Sequence, residues 1–186
     1  MSDFDALLET AKKFHGGLCP GIVLGTRMTM AGLRELGMSP AEKNRDLIVY
    51  VEIDRCAADA IQAITGCSLG HRTLKHLNYG KFAATYVDTK AGNAVRVSVR
   101  ERAGPGGGDR KGALKVLSEM PEADLLNIRK VTVVIPDEDL PGLPRSRVRC
   151  SGCGEQVLDS KEVIVGGSPV CRSCASGAYY KVNDAS

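Results

Sequence analysis

Near the C-terminus, Cys150 and Cys153 form one Cys-x2-Cys pair and Cys171 and Cys174 a second, with 17 residues between them. No other stretch of the chain leaves so few ways to fold. Two thiolates at this spacing grip one side of an ion, and a second such pair closes a tetrahedron, so the segment is expected to wrap a structural zinc. Between the pairs, "EVIVGGSPV" reads as a strand and tight turn, the filling of a zinc ribbon or a treble clef. Residues 147–186 hold too little apolar material for a core of their own, so the ion is expected to supply folding free energy. Two disulfides would use the same four cysteines but need an oxidising compartment for which nothing argues, and an iron or iron–sulfur site is the chemical alternative.

Upstream, "PDEDLPGLP" places Pro136, Pro141 and Pro144 among acids and a glycine, which reads as an extended linker over 137–146. Residues 1–136 are then the main domain. The chain is 43% hydrophobic but only 4% aromatic, with no tryptophan, so its core must be aliphatic. A net charge of +3 is too weak to argue for nucleic acid. The start, "MSDFDALLETAKKFHGG", is acidic and amphipathic, unlike a signal peptide, and the apolar runs are too short to span a membrane. With seven cysteines, four of them in a metal pattern, a reducing cytoplasm is the expected location.

Periodicity predicts an α+β fold: N-terminal helices, a mixed or antiparallel sheet, and the small cysteine domain. Phe4, Leu7, Leu8, Ala11 and Phe14 recur at helical spacing, and Gly16-Gly17 should end that helix. Pro20 suits the first turn of a second helix, with Cys19 near its N-cap and Gly37 as its stop. "LIVYVEI" reads as a strand, and Asp54 as the N-cap of a third helix ending at Gly66. "LGHRTLKHLNYG" reads as a helical turn or irregular segment. "KFAATYVD" and "AVRVSVRE" read as a hairpin, short helices flank Pro121, and "RKVTVVI" (129–135) reads as the last strand.

Three cysteines lie outside the tail. Cys19 and Cys56 are each placed at a helix start, where unpaired N–H groups and the helix dipole favour a thiolate. Asp59 follows Cys56 by one turn, on the same face. If the strand before Cys56 runs beside the Gly16–Pro20 turn, His15, Cys19 and Cys56 converge into a site of three protein ligands with room for a further one. The bland reading is a small buried hydrophobe at each cysteine and a hydrogen-bonded histidine. Cys67 joins such a site only through a bend at Gly66 or from a second subunit.

"FHGGLCPGIVLGTRMTMAGLRELG", "VEIDRCAADAIQAITGCSLGHRTL" and "NYGKFAATYVD" together resemble the FmdE family of formylmethanofuran dehydrogenase E-type subunits. The resemblance covers residues 10 to about 135, and the tail is similar to the treble-clef finger that members often add. The family pattern Phe-His-Gly-His-x-Cys-Pro-Gly falls on residues 14–21, with Gly17 where the pattern has a second histidine. Cys-x-x-Asp-Ala falls on Cys56, Asp59 and Ala60, and Thr-Gly-Cys on Thr65, Gly66 and Cys67. The usual Gly-Lys appears as Gly70-His71, so any proton donor there would be His71.

The resemblance implies an α+β core, a homodimer, and a second divalent metal, zinc or iron, on His15, Cys19 and Cys56. Asp59 is then either a fourth ligand or a partner standing behind the ligands; Asp59 and His71 are the candidate proton carriers, and Cys67 and Lys81 pocket candidates. The expected role is accessory to, or a subunit of, a molybdenum or tungsten one-carbon redox enzyme. The alternatives are a free-standing metalloenzyme acting on a small molecule and a zinc-finger regulator of nucleic acid. Arg145, Arg147 and Arg149 alternate before the first ligand, but stacking aromatics are lacking apart from Tyr179-Tyr180, so a protein-contact or stability role for the tail is expected over nucleic acid. "GPGGGDRKG" (104–112) lacks the ending of a P-loop and reads as a lid or plain loop.

Overall fold

The computed structural model describes residues 3–40, 44–101 and 110–183, and divides them into two compact units, Met1–Val134 and Ile135–Ser186. Most of the 104–112 loop lies outside the described residues.

In the first unit, helix α1 (Asp3–His15) is followed by α2 (Pro20–Glu35), strand β1 (Leu47–Val51) and α3 (Cys56–Thr65). Then come β2 (Leu74–His76), β3 (Ala83–Asp88), β4 (Asn93–Val99), α4 (Arg110–Glu119), α5 (Glu122–Leu125) and β5 (Leu126–Val131). The sheet order is β2-β1-β3-β4-β5; β1 and β2 run parallel and every other pair is antiparallel. The fold is thus α+β with a mixed sheet.

Two expectations about strands are corrected. Leu74–His76, read as a turn or irregular, is a strand, because Val49 to Val51 of β1 pair in register with it. Three residues without alternation give no period to read, and only the pairing makes them a strand. The last strand begins at Leu126, not Arg129, because α5 stops at Leu125 and the chain pairs at once with Val99 of β4. The start of α3 also moves by one residue: its N-cap is Arg55, in extended conformation and with no side-chain cap, rather than Asp54.

Helix α2 lies at the centre of the helical layer and is buried along most of its length. Three glycines let its neighbours approach. A Cβ at Gly21 would stand 2.9 Å from Cys56 Cβ, one at Gly25 would stand 2.8 Å from the Ala57 backbone, and one at Gly32 would collide with the ring of Tyr86 on β3. Glycines at 21, 25 and 32 fall on one helical face, so the face is shaped to admit α3 at one end and the sheet at the other. The core is aliphatic: Ile22, Val23, Leu24, Met28, Val49, Ile61 and Val97 are fully or almost fully buried, with Tyr86 the one fully buried ring among the described residues. Phe14, counted on the apolar stripe of α1, is instead 58% exposed.

Arginines tie the later elements to α2. Arg27 donates to the carbonyls of Leu117, Ser118 and Met120 at the end of α4, and Arg34 holds both carboxylate oxygens of Glu122 at 2.7 and 2.8 Å.

The second unit has two hairpins, β6 (Arg147–Arg149) with β7 (Gln156–Leu158) and β8 (Val163–Val165) with β9 (Ser168–Val170), then a one-turn helix α6 (Arg172–Ser176). Among the described residues no helix is long and apolar enough to cross a membrane.

Candidate metal centre

In the tail, the sulfurs of Cys150, Cys153, Cys171 and Cys174 lie within 4.8 Å of one another. Each pair is held by a turn whose amides point at sulfur. The N–H groups of Cys171, Gly152 and Cys153 donate to Cys150 Sγ at 3.2, 3.3 and 3.5 Å. These backbone donors, Cys171 first, pull the Cys150 thiol down to about 6. Cys171 caps α6, its sulfur accepting from the Cys174 N–H, so the second pair sits on the first turn of a helix, as in a treble clef. Four sulfurs this close to one another fit zinc.

The core cluster is built by two helix starts and one helix end. Helix α1 closes at His15; Gly16 takes φ 83° and, with Gly17, donates back to the Lys12 carbonyl, which reverses the chain. Only glycine adopts that φ readily. Cys19 follows in extended conformation as the N-cap of α2, with Pro20 fixing the first turn. Cys56 opens α3, and the bare face at Gly21 lets its Cβ close on α2.

The result is that one donor atom each from His15, Cys19 and Cys56 lies within 4.8 Å of the others. Edges of a zinc–thiolate tetrahedron are about 3.8 Å, given Zn–S bonds of about 2.3 Å, so a small closure completes the grip. His15 Nδ1 stands 2.7 Å from Asp59 Oδ2, while Nε2 faces Cys19 Sγ at 3.9 Å. A carboxylate accepting from Nδ1–H leaves the Nε2 lone pair free for an ion and fixes the ring plane. Burial, with the neighbouring Cys19 thiol, pushes the Cys56 thiol up. One imidazole and two sulfurs, with a carboxylate behind the imidazole, fit a divalent ion of the zinc or iron type.

In front of the sulfurs is a cleft of about 360 Å³ lined by Cys19, Cys56, Pro20, Ile53, Arg55 and Phe82. Arg55 and Phe82 did not stand out in the sequence. The signal for Arg55 was its place immediately before Cys56 at the head of α3.

The structure does not bring the other candidates to this cluster. Cys67 is 4% exposed, and its thiol donates to the Leu47 carbonyl at 3.6 Å; burial pushes it up, as expected of a packed sulfur. His71 is exposed and bound to Ser68, with Nδ1 2.9 Å from Ser68 Oγ. Lys81 is exposed, its ammonium 5.7 Å from the Tyr79 ring centroid.

Comparison with known proteins agrees with this organisation. The family described as "FmdE, Molybdenum formylmethanofuran dehydrogenase operon" matches residues 14–126. The chain belongs to the FmdE family. A second match, to the prokaryotic dksA/traR C4-type zinc finger, covers residues 144–180, so the FmdE domain here carries a zinc finger behind it. Among solved structures, an FmdE-like protein of the tungsten formylmethanofuran dehydrogenase type from Syntrophus aciditrophicus is similar at 27% identity and TM-score 0.60, over 96% of this chain and 95% of that one. A curated relative from Archaeoglobus fulgidus, named a probable S-adenosyl-L-methionine-binding protein, is 40% identical over 101 residues. That match takes in 53% of this chain and 28% of the relative's length.

Proposed function

We propose that this FmdE protein holds a second divalent ion, zinc or iron, in its core through His15, Cys19 and Cys56, with one position open to the cleft. The observation that supports this is the meeting of three donors from separate helix termini within 4.8 Å, with Asp59 2.7 Å behind the imidazole. An ion bound there supplies a Lewis acid at the floor of the cleft. The chain's own part is to aim His15 through Asp59, to hold two sulfurs at helix starts, and to shape the apolar walls at Pro20, Ile53 and Phe82.

Metal analysis of the full chain supplied with zinc or iron tests the reading. About two ions per chain are expected, falling to about one in His15→Ala and in Cys19→Ser with the fold retained. About one ion per chain in the wild type, that of the tail, overturns it.

In this reading the protein serves a molybdenum or tungsten one-carbon redox enzyme as accessory or subunit. The family description and the name of the Syntrophus aciditrophicus relative support that place. The cleft favours a second reading, a free-standing metalloenzyme for a small molecule, and the name of the archaeal relative leans the same way. Co-purification of a large molybdenum or tungsten protein selects the first role, and turnover by the isolated chain selects the second.

A further inference from the structure

We infer that the cleft in front of the core sulfurs is a binding site for a small organic carboxylate, with Arg55 as the residue that recognises its charge. The inference rests on the core-metal reading and adds the class of ligand that completes the ion's shell.

Charge and shape point to the same ligand. Two thiolates neutralise a divalent ion, and a neutral imidazole adds nothing, so the ion and its three donors carry no net charge between them. Asp59 stands behind His15 and is not among the lining residues. Apart from the two sulfurs, Arg55 is the one ionisable side chain among the described residues that line the cleft. It is exposed, and among the described residues its guanidinium makes no hydrogen bond or ion pair. It also caps nothing, since it is the N-cap residue of α3 and that helix has no side-chain cap. A planar guanidinium matches a carboxylate in shape as well as charge, through two parallel N–H···O bonds.

The remaining wall, Pro20, Ile53 and Phe82, offers apolar surface and no donor for a hydrophilic body. A volume of about 360 Å³ is at the small end of ligand sites, enough for a short organic acid. Charge from Arg55, an apolar wall and an ion with an open position select together for an anion with an apolar body.

The test uses the full chain with zinc in the tail and one equivalent of cobalt(II) added as a visible reporter of the core site. Cys19→Ser must abolish the core cobalt bands, which assigns them. Butyrate and neutral butyramide are then titrated at constant ionic strength. The expected result is a saturable change of the cobalt bands with butyrate and none with butyramide. Arg55→Ala should weaken butyrate binding about tenfold or more, as for loss of a charge-assisted hydrogen bond, and Arg55→Lys should restore part of it. Cobalt affinity itself should be unchanged in both Arg55 variants. Equal responses to butyrate and butyramide, or unchanged butyrate affinity in Arg55→Ala, overturn the inference while the metal site stands. Failure of the wild type to show core cobalt bands overturns both.

Discussion

Asp59 touches no ion in the proposed site, yet it decides how His15 presents itself. Asp59→Ala removes the acceptor at 2.7 Å and lets the imidazole turn. The expected loss is about 10- to 100-fold in core metal affinity, measured by competition with a chelator, and the tail zinc should be unaffected. Asp59→Asn keeps a hydrogen-bond acceptor and should recover part of the loss, which a purely structural role would not predict. The two centres should also differ in tenacity. The tail offers four sulfurs to its ion, whereas the core offers three donors, one of them the Cys56 thiol that burial and Cys19 push up. A chelator titration should therefore strip the core ion first, and simultaneous loss would contradict this. At this scale the sequence shows the donors plainly, because cysteine at a helix start beside glycine and proline is a local pattern. It hides what depends on approach. Nothing local tells that Arg55 flanks a cleft with Phe82, or that Cys67 packs against the Leu47 carbonyl instead of joining the cluster.

Helix α2 shows how elements are kept in place by what is missing from them. Gly→Ala in a helix interior ordinarily stabilises by up to about 1 kcal/mol, but here a methyl group meets a neighbour at once. Gly32→Ala strikes the Tyr86 ring and Gly25→Ala the Ala57 backbone, so each should destabilise by roughly 1–3 kcal/mol in denaturant unfolding. An increase in stability in either variant would show that the helices are free to shift. The Arg34–Glu122 pair fastens α5 to α2. The Arg34 hydrogen bond holds the Glu122 carboxyl below its ordinary value. Its contribution is therefore complete above the usual carboxylate range and is lost as pH falls through the depressed value. Both side chains are partly exposed, so the pair is worth about 0.5–1 kcal/mol. The stability difference between wild type and Glu122→Gln should be of that size at pH 7 and vanish in strong acid. Helices and the long hairpin are legible in the sequence because each has a period of its own. The three-residue β2 and the start of β5 are not, because they become strands only by pairing with β1 and β4.

The division after Val134 separates a unit with a wide aliphatic core from one whose second hairpin has Val163–Val165 exposed along its whole length and Ser168–Val170 no more than half-buried. Without an ion little holds the second unit. Cys171→Ser should make it sensitive to protease while residues up to about 134 survive as a stable fragment; joint melting of the two would show that they fold as one. The core site has a different history. Its four residues come as two local pairs, His15 with Cys19 and Cys56 with Asp59, and the whole of α2 and β1 lies between the pairs. An unfolded chain can offer only half a site at a time, since the other half is a costly loop closure away. Capture of the core ion should then be among the last events as the chain folds. In stopped-flow refolding with cobalt present, helical signal should rise first, and the thiolate bands of the core should follow only when α3 has docked on the glycine face of α2.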